Sequence, residues 1–175
     1  VGRMAHATIE GDRVTIRNVR NFEWHGTDRF VERWETRSYA LSSLQRLDLI
    51  ASYWAGPHIA HLLVSFGFVG GEQLVVSIEI RRRRDQTYST MEGLFRNFEL
   101  IYILGDERDL VRLRTTFRKE RVHLFRLRTP PDAVRTLLNQ NPNLFLMVRP
   151  MVAFMDRDTP RQVTPAQFVE WTVDD

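Results

Sequence analysis

The chain has 175 residues, 43% hydrophobic and 11% aromatic, which suits one globular domain with a sizeable core and excludes a disordered chain. Lys plus Arg number 25 against 22 Asp plus Glu, and this small excess, carried mostly by arginine, favours local anion recognition over nucleic-acid binding. No cysteine occurs, excluding disulfides, thiolate metal sites and a thiol nucleophile, and with no apolar run near the roughly 18 residues of a membrane span or signal-peptide core in VGRMAHATIEGDR, a soluble chain is expected.

In chain order, Ala7-Thr8-Ile9-Glu10 and Val14-Thr15-Ile16-Arg17 alternate around Gly11-Asp12 and predict a first hairpin. Phe22, Trp24, Phe30 and Trp34 follow in a segment of poor periodicity, expected to be an irregular or edge element covered by aromatic packing. Ser42 and Ser43 are placed to cap a short helix through Leu44 and Leu47, leading into a buried strand from Leu49 to Trp54 that Gly56-Pro57 breaks.

From Ala60 to Phe68 the even positions Leu62, Val64, Phe66 and Phe68 are apolar, whereas the odd ones include His61, Ser65 and Gly67. This is the period-two pattern of a strand buried on one face, with Leu63 as an exception. The alternation resumes beyond Glu72 with Leu74, Val76, Ile78 and Ile80, where Val75 breaks the polar set. A Val69-Gly70-Gly71 loop with glycine in the left-handed region would pair Phe68 with Glu72, His61 with Glu79 and Ser65 with Val75. Facing side chains of such a pair have Cβ atoms about 4.5 to 5.5 Å apart. A carboxylate that close can fix the tautomer of an imidazole and raise its pKa, as in a catalytic triad; equally, His61 and Glu79 can be a structural cross-strand pair.

Arg81, Arg82, Arg83 and Arg84 form a basic block that reads either as a solvated strand end or as a clamp for phosphate or anionic lipid headgroups. Ser89-Thr90-Met91-Glu92 has capping-box spacing and predicts a short helix through Leu94 and Phe95. Strands are expected over Leu100 to Leu104, Leu110 to Arg114 and Val122 to Leu127. Thr129-Pro130-Pro131-Asp132 starts a helix that stops near Asn139-Gln140-Asn141-Pro142. The tail, Asn143 to Asp175, changes texture, and Thr164-Pro165 opens another short helix there.

Motifs for nucleotides, hydrolase serines and metalloprotease zinc are absent, so no cofactor and no metal are expected. His58 and His61 would point to opposite faces of a strand, which disfavours a shared zinc. His6, His25 and His123 read as solvated or structurally bonded. Asp106, Glu107 and Asp109 are candidates for acid-base work, or a turn paired with Arg108, Arg112 and Arg114.

The segments MAHATIEGDRVTIRNVRNF, YALSSLQRLDLIASYWAGPHIAHLLVSFGF, LVVSIEIR, FELIYILGDERDLVRLRTTFR and VHLFRLRTPPDAVRTLL resemble, in order, the periplasmic domain of the bacterial Lnb (lipoprotein N-acylation) family. The resemblance runs from about Arg3 to Leu138 and divides the chain into an Lnb-like domain, 1–138, and a divergent C-terminal segment, 139–175, packed on it. It implies an α+β fold, a mostly antiparallel sheet with flanking helices on a permuted papain-like (NlpC/P60-like) scaffold. It further implies a periplasmic envelope protein, membrane-associated through parts outside this sequence, whose partners are phospholipid or lipoprotein at the membrane surface, with no nucleic acid. Relatives resemble thiol acyltransferases in which a strand histidine, matching His61, precedes a helix-borne cysteine, and Glu79 would be the polar partner on the next strand. Where the family carries its cysteine in an Asn-Cys-Thr pattern, this chain has NQNPNLFLMVRPMVAFMDRD. The resemblance therefore implies an N-acyltransferase-like domain that is inactive in this cysteine-free chain; the alternative is a non-catalytic lipid- or lipoprotein-binding scaffold.

Overall fold

The computed structural model describes residues 3–54, 56–57, 60–81, 99–128, 130–140 and 161–162. The expected helix at Ser89 to Phe95, the residues Arg82, Arg83, Arg84 and His58, and the helix opened by Thr164-Pro165 lie outside the described residues.

Strands β1 (His6–Glu10) and β2 (Arg13–Arg20) form the first predicted hairpin, and Gly11 at φ 59° supplies the left-handed turn residue that a side chain would disfavour. A short ribbon, β3 (Glu23–Trp24) with β4 (Phe30–Val31), precedes β5 (Trp34–Ala40), which pairs with β2. Within this stretch Phe22 stacks on Phe30 at 5.1 Å and meets Trp34 edge-on at 5.0 Å, the aromatic cover that the sequence predicted.

The segment from Ser42 to Leu47 is not a helix. Only a 3-10 turn, Leu41–Ser43, forms, because the Asp12 carboxylate takes hydrogen bonds from the Ser42 amide (2.7 Å) and hydroxyl (2.5 Å), while Leu44 and Leu47 enter the sheet. Strand β6 (Leu44–Tyr53) then pairs with β7 (Ala60–Phe68), and β7 with β8 (Gln73–Arg81). The β7–β8 loop is closed by the Phe68 amide donating to Glu72 (2.9 Å), with Gly70 at φ 89° and Gly71 at φ 86°. Strand β9 (Glu99–Gly105) follows, then helix α1 (Glu107–Arg112), which runs on as a π-helical turn, Leu113–Phe117. Strand β10 (Arg121–Arg126), helix α2 (Pro131–Gln140) and a two-residue strand β11 (Arg161–Gln162) complete the described elements.

The main sheet has the order β1-β2-β9-β8-β7-β6-β10-β11, with β5 on β2, so an α+β architecture with a mostly antiparallel sheet and few helices is observed. One pairing is parallel, β2 with β9 at Arg20 and Gly105. There the backbone passes so close that a Cβ on Gly105 would lie 2.8 Å from the Arg20 carbonyl oxygen, which explains the glycine.

Both faces of the central strands are covered, which corrects the expectation of one buried face. On one side Phe66, Phe68, Val64, Leu74 and Leu104 join Val14 and Ile16, and Val134 of α2 packs against them. On the other, Leu110 and Val111 of α1 pack on Ile50, Leu63, Val75 and Val122. Leu63 and Val75, the exceptions to the alternation, are the core of this second face. Full burial of each such side chain contributes about 1.5–3 kcal/mol.

The predicted strand Leu110 to Arg114 is helix and π-turn instead. The Asp106 side chain accepts from the Arg108 amide (2.8 Å) and caps α1, and Glu107 and Asp109 stand in the first turn, where acidic groups complement the helix dipole.

Candidate functional site

The β7–β8 register pairs Leu63 with Ser77 and Ser65 with Val75, so continuing it outward sets His61 opposite Glu79, and β6 sets Ser52 on the other flank of His61. Odd positions of β7 share one face with Ser52 and Ile50 of β6 and with Ser77 and Glu79 of β8. The helical segment after β9 lies over this face and contributes Arg114.

These side chains form one connected network. His61 Nε2 lies 2.8 Å from Ser77 Oγ and 3.3 Å from Glu79 Oε1. The Ser77 hydroxyl donates to Glu79 Oε1 (2.8 Å), and Arg114 Nη2 donates to the same oxygen (3.0 Å). Arg114 also approaches Glu120 (3.7 Å), which accepts from the Ser52 hydroxyl (2.5 Å). Burial works against ionisation of Glu79, but the hydrogen bond and charge of His61, the Arg114 charge and the Ser77 hydrogen bond outweigh it and hold the carboxyl down at about 2.

The direction of these bonds fixes the proton on His61. Glu79, ionised, only accepts, so the Ser77 hydrogen is committed to it and Ser77 Oγ must accept from Nε2–H. The neutral ring therefore carries its lone pair on Nδ1. The His61 side chain is 20% exposed, and Glu79 lies beside Nε2, on the side of the ring away from Nδ1.

Of the residues the sequence singled out, His61 and Glu79 come together. Arg81 ends β8, paired with Glu99. The acidic cluster does not form one site. Asp109, fully buried, is gripped by Arg20 (two bonds of 2.8 Å), the Phe22 amide (2.8 Å) and the Trp24 indole (2.7 Å), while Asp106 pairs with Arg37 (2.6 Å). Arg114, expected beside these carboxylates, instead serves Glu79 and Glu120. Glu107 accepts from Ser65 (2.5 Å), and burial, with Asp48 nearby, pushes its carboxyl up to about 7 against that hydrogen bond. His25 lies 3.8 Å from Glu23, and His123 meets the Tyr53 ring edge-on at 5.6 Å. Among the described residues no three His, Cys, Asp or Glu side chains gather as a metal site.

Ser52, Ser77, Arg114 and Glu120 were missed by sequence reasoning. Ser77 was within reach, since it lies two residues before Glu79 on the same face. Arg114 and Glu120 were hidden by the misassigned strand.

A family model of the Lnb N-terminal periplasmic domain matches residues 30–145, about two thirds of the sequence. The chain belongs to that family. No curated protein and no solved structure matches it. Membership makes this a periplasmic envelope domain, and the Lnb match spans every strand from β5 to β10, including all residues of the His61 network. Among the described residues no helix is long and apolar enough to cross a membrane.

Proposed function

We propose that this Lnb-family domain carries the acid-base half of a phospholipid-dependent lipoprotein N-acyl-transfer site and, lacking cysteine, does not itself turn over. The observation that carries the reading is the Ser77–Glu79 hydrogen bond, which leaves the His61 lone pair on Nδ1.

On a permuted papain-like scaffold bearing a cysteine, His61 Nδ1 would take the thiol proton. The thiolate would add to the carbonyl of a phospholipid acyl ester, forming a thioester and releasing the lysophospholipid alcohol with a proton from His61. The amine of a lipoprotein N-terminus would then attack the thioester, giving the amide and restoring the thiol. Glu79 would orient the ring and stabilise the imidazolium, and Arg114 and Ser77 would hold Glu79. No residue of this sequence can supply the thiol. That absence also favours the second reading, a non-catalytic domain that keeps a lipid- or lipoprotein-facing surface.

Incubation with phospholipid and a lipoprotein-like amine, followed by mass spectrometry, is expected to yield no acyl transfer. Turnover that disappears in His61→Ala would overturn the inactive reading. Independently, nitrogen chemical shifts of the neutral His61 ring should report a proton on Nε2; a proton on Nδ1 would remove the acid-base assignment.

A further inference from the structure

We propose that the sheet edge beside His61 is a docking surface for an anionic phospholipid bilayer, made by Trp54, Arg118, Lys119 and Arg121. The inference deepens the reading above by giving its site a surface partner, and so rests on it.

Several elements end together at this edge. Tyr53, the last residue of β6, pairs with Ala60 at the start of β7 and with Arg121 at the start of β10, and β8 runs out at Arg81 on the same side as His61. The side chains there sort by charge. Glu79 and Glu120 turn inward onto Arg114, and the Glu120 side chain is only 9% exposed. Outward stand Lys119, Arg121 and Arg118, whose side chain is 44% exposed although it also lies 3.8 Å from Glu120. Beside them Trp54 is 51% exposed. A half-exposed tryptophan with a rim of cations matches the boundary of an anionic bilayer, where the indole occupies the headgroup level and the cations meet phosphates.

Lys119 supports this independently. It sits at φ 56°, between the Arg118 amide bonded to the Leu113 carbonyl (2.9 Å) and the Glu120 amide bonded to the Arg114 carbonyl (2.9 Å). A helix end of this form is usually closed by glycine, so the backbone alone gives no reason for a lysine. The Arg121 guanidinium lies 4.9 Å from the centre of the Tyr53 ring, which fixes a second cation at the edge.

Sedimentation of the full chain with phosphatidylglycerol-containing and pure phosphatidylcholine vesicles tests the surface. Binding is expected only to the anionic vesicles and should weaken with salt. The triple variant Arg118→Gln, Lys119→Gln, Arg121→Gln should bind on the order of a hundredfold more weakly. Arg118→Lys with Arg121→Lys keeps the charges and should bind like the parent. Quenching of tryptophan emission by brominated acyl chains should fall in Trp54→Phe. Equal binding to both vesicles, an unaffected triple variant with a native circular-dichroism spectrum, or quenching unchanged in Trp54→Phe would each overturn the proposal. None of these readouts depends on acyl transfer or on the His61 tautomer, so failure of the surface and failure of the acid-base reading are distinguishable.

Discussion

Glu79 of β8 and Glu107 of α1 meet the same face of the sheet, and their neighbours drive their ionisation apart. Glu79 has an imidazole, a guanidinium and a hydroxyl around it and is held at about 2, whereas Glu107 is buried with only Ser65 donating to one oxygen, and its other oxygen, Oε2, has no partner among the described residues. Against an ordinary value of 4.5, the depressed Glu79 contributes stability that is present above about 4.5 and lost as pH falls through about 2. Glu107 has the opposite sign: its contribution is full below about 4.5 and lost as pH rises through about 7, because the fold prefers the protonated form. Glu107→Gln keeps the shape without the charge, and should raise stability at pH 8 by roughly 1–3 kcal/mol while changing little at pH 4. Denaturant melts at the two pH values check this. An equal effect at both would mean that Glu107 is not held protonated by the fold.

At the scale of elements, the β7–β8 hairpin was legible because its information is local. The period-two pattern and the Gly70-Gly71 loop set the register, and with it the meeting of His61 and Glu79. Leu63 and Val75 also signalled a second covered face, since an apolar residue on the polar side of a strand needs something packed over it. The element that covers them was not legible as such: Val111-Arg112-Leu113-Arg114 alternates apolar and charged residues and so reads as a strand, while the decisive contacts, Asp109 with Arg20 and Leu110 with Ile50 and Leu63, are distant in sequence. Asp106 as N-cap with acids in the next turn was the available clue. The helical form matters because it delivers Arg114, whose side chain is 8% exposed, between Glu79 and Glu120. Arg114→Ala strands two carboxylates and should cost about 3 kcal/mol. In a double-mutant cycle with Glu79→Gln the pair should couple by about 1 kcal/mol or more. Additive effects in urea melts would show that Arg114 does not stabilise through Glu79.

For the whole molecule, the Lnb match begins at Phe30, whereas the packed unit begins earlier. Strand β2 lies inside the sheet between β1 and β9, with β5 also pairing to it, and its Val14, Ile16 and Val19 are fully buried in the larger core. The same segment supplies three of the groups that satisfy buried Asp109: the Arg20 guanidinium, the Phe22 amide and the Trp24 indole. Removing residues 1–29 would therefore open one core and leave a carboxylate inside without its cation. Losses of three core side chains at about 1 kcal/mol or more each, added to several kcal/mol for an uncompensated buried charge, approach the 5–15 kcal/mol total stability of a typical domain. A chain starting at Phe30 is thus expected to lack a cooperative thermal transition, even though it holds the whole His61 network. Circular dichroism and heating of that shortened chain beside the full one decide the point; a sharp native-like melt would show that the β5-to-β10 portion folds alone and that the N-terminal hairpin is an accessory to it.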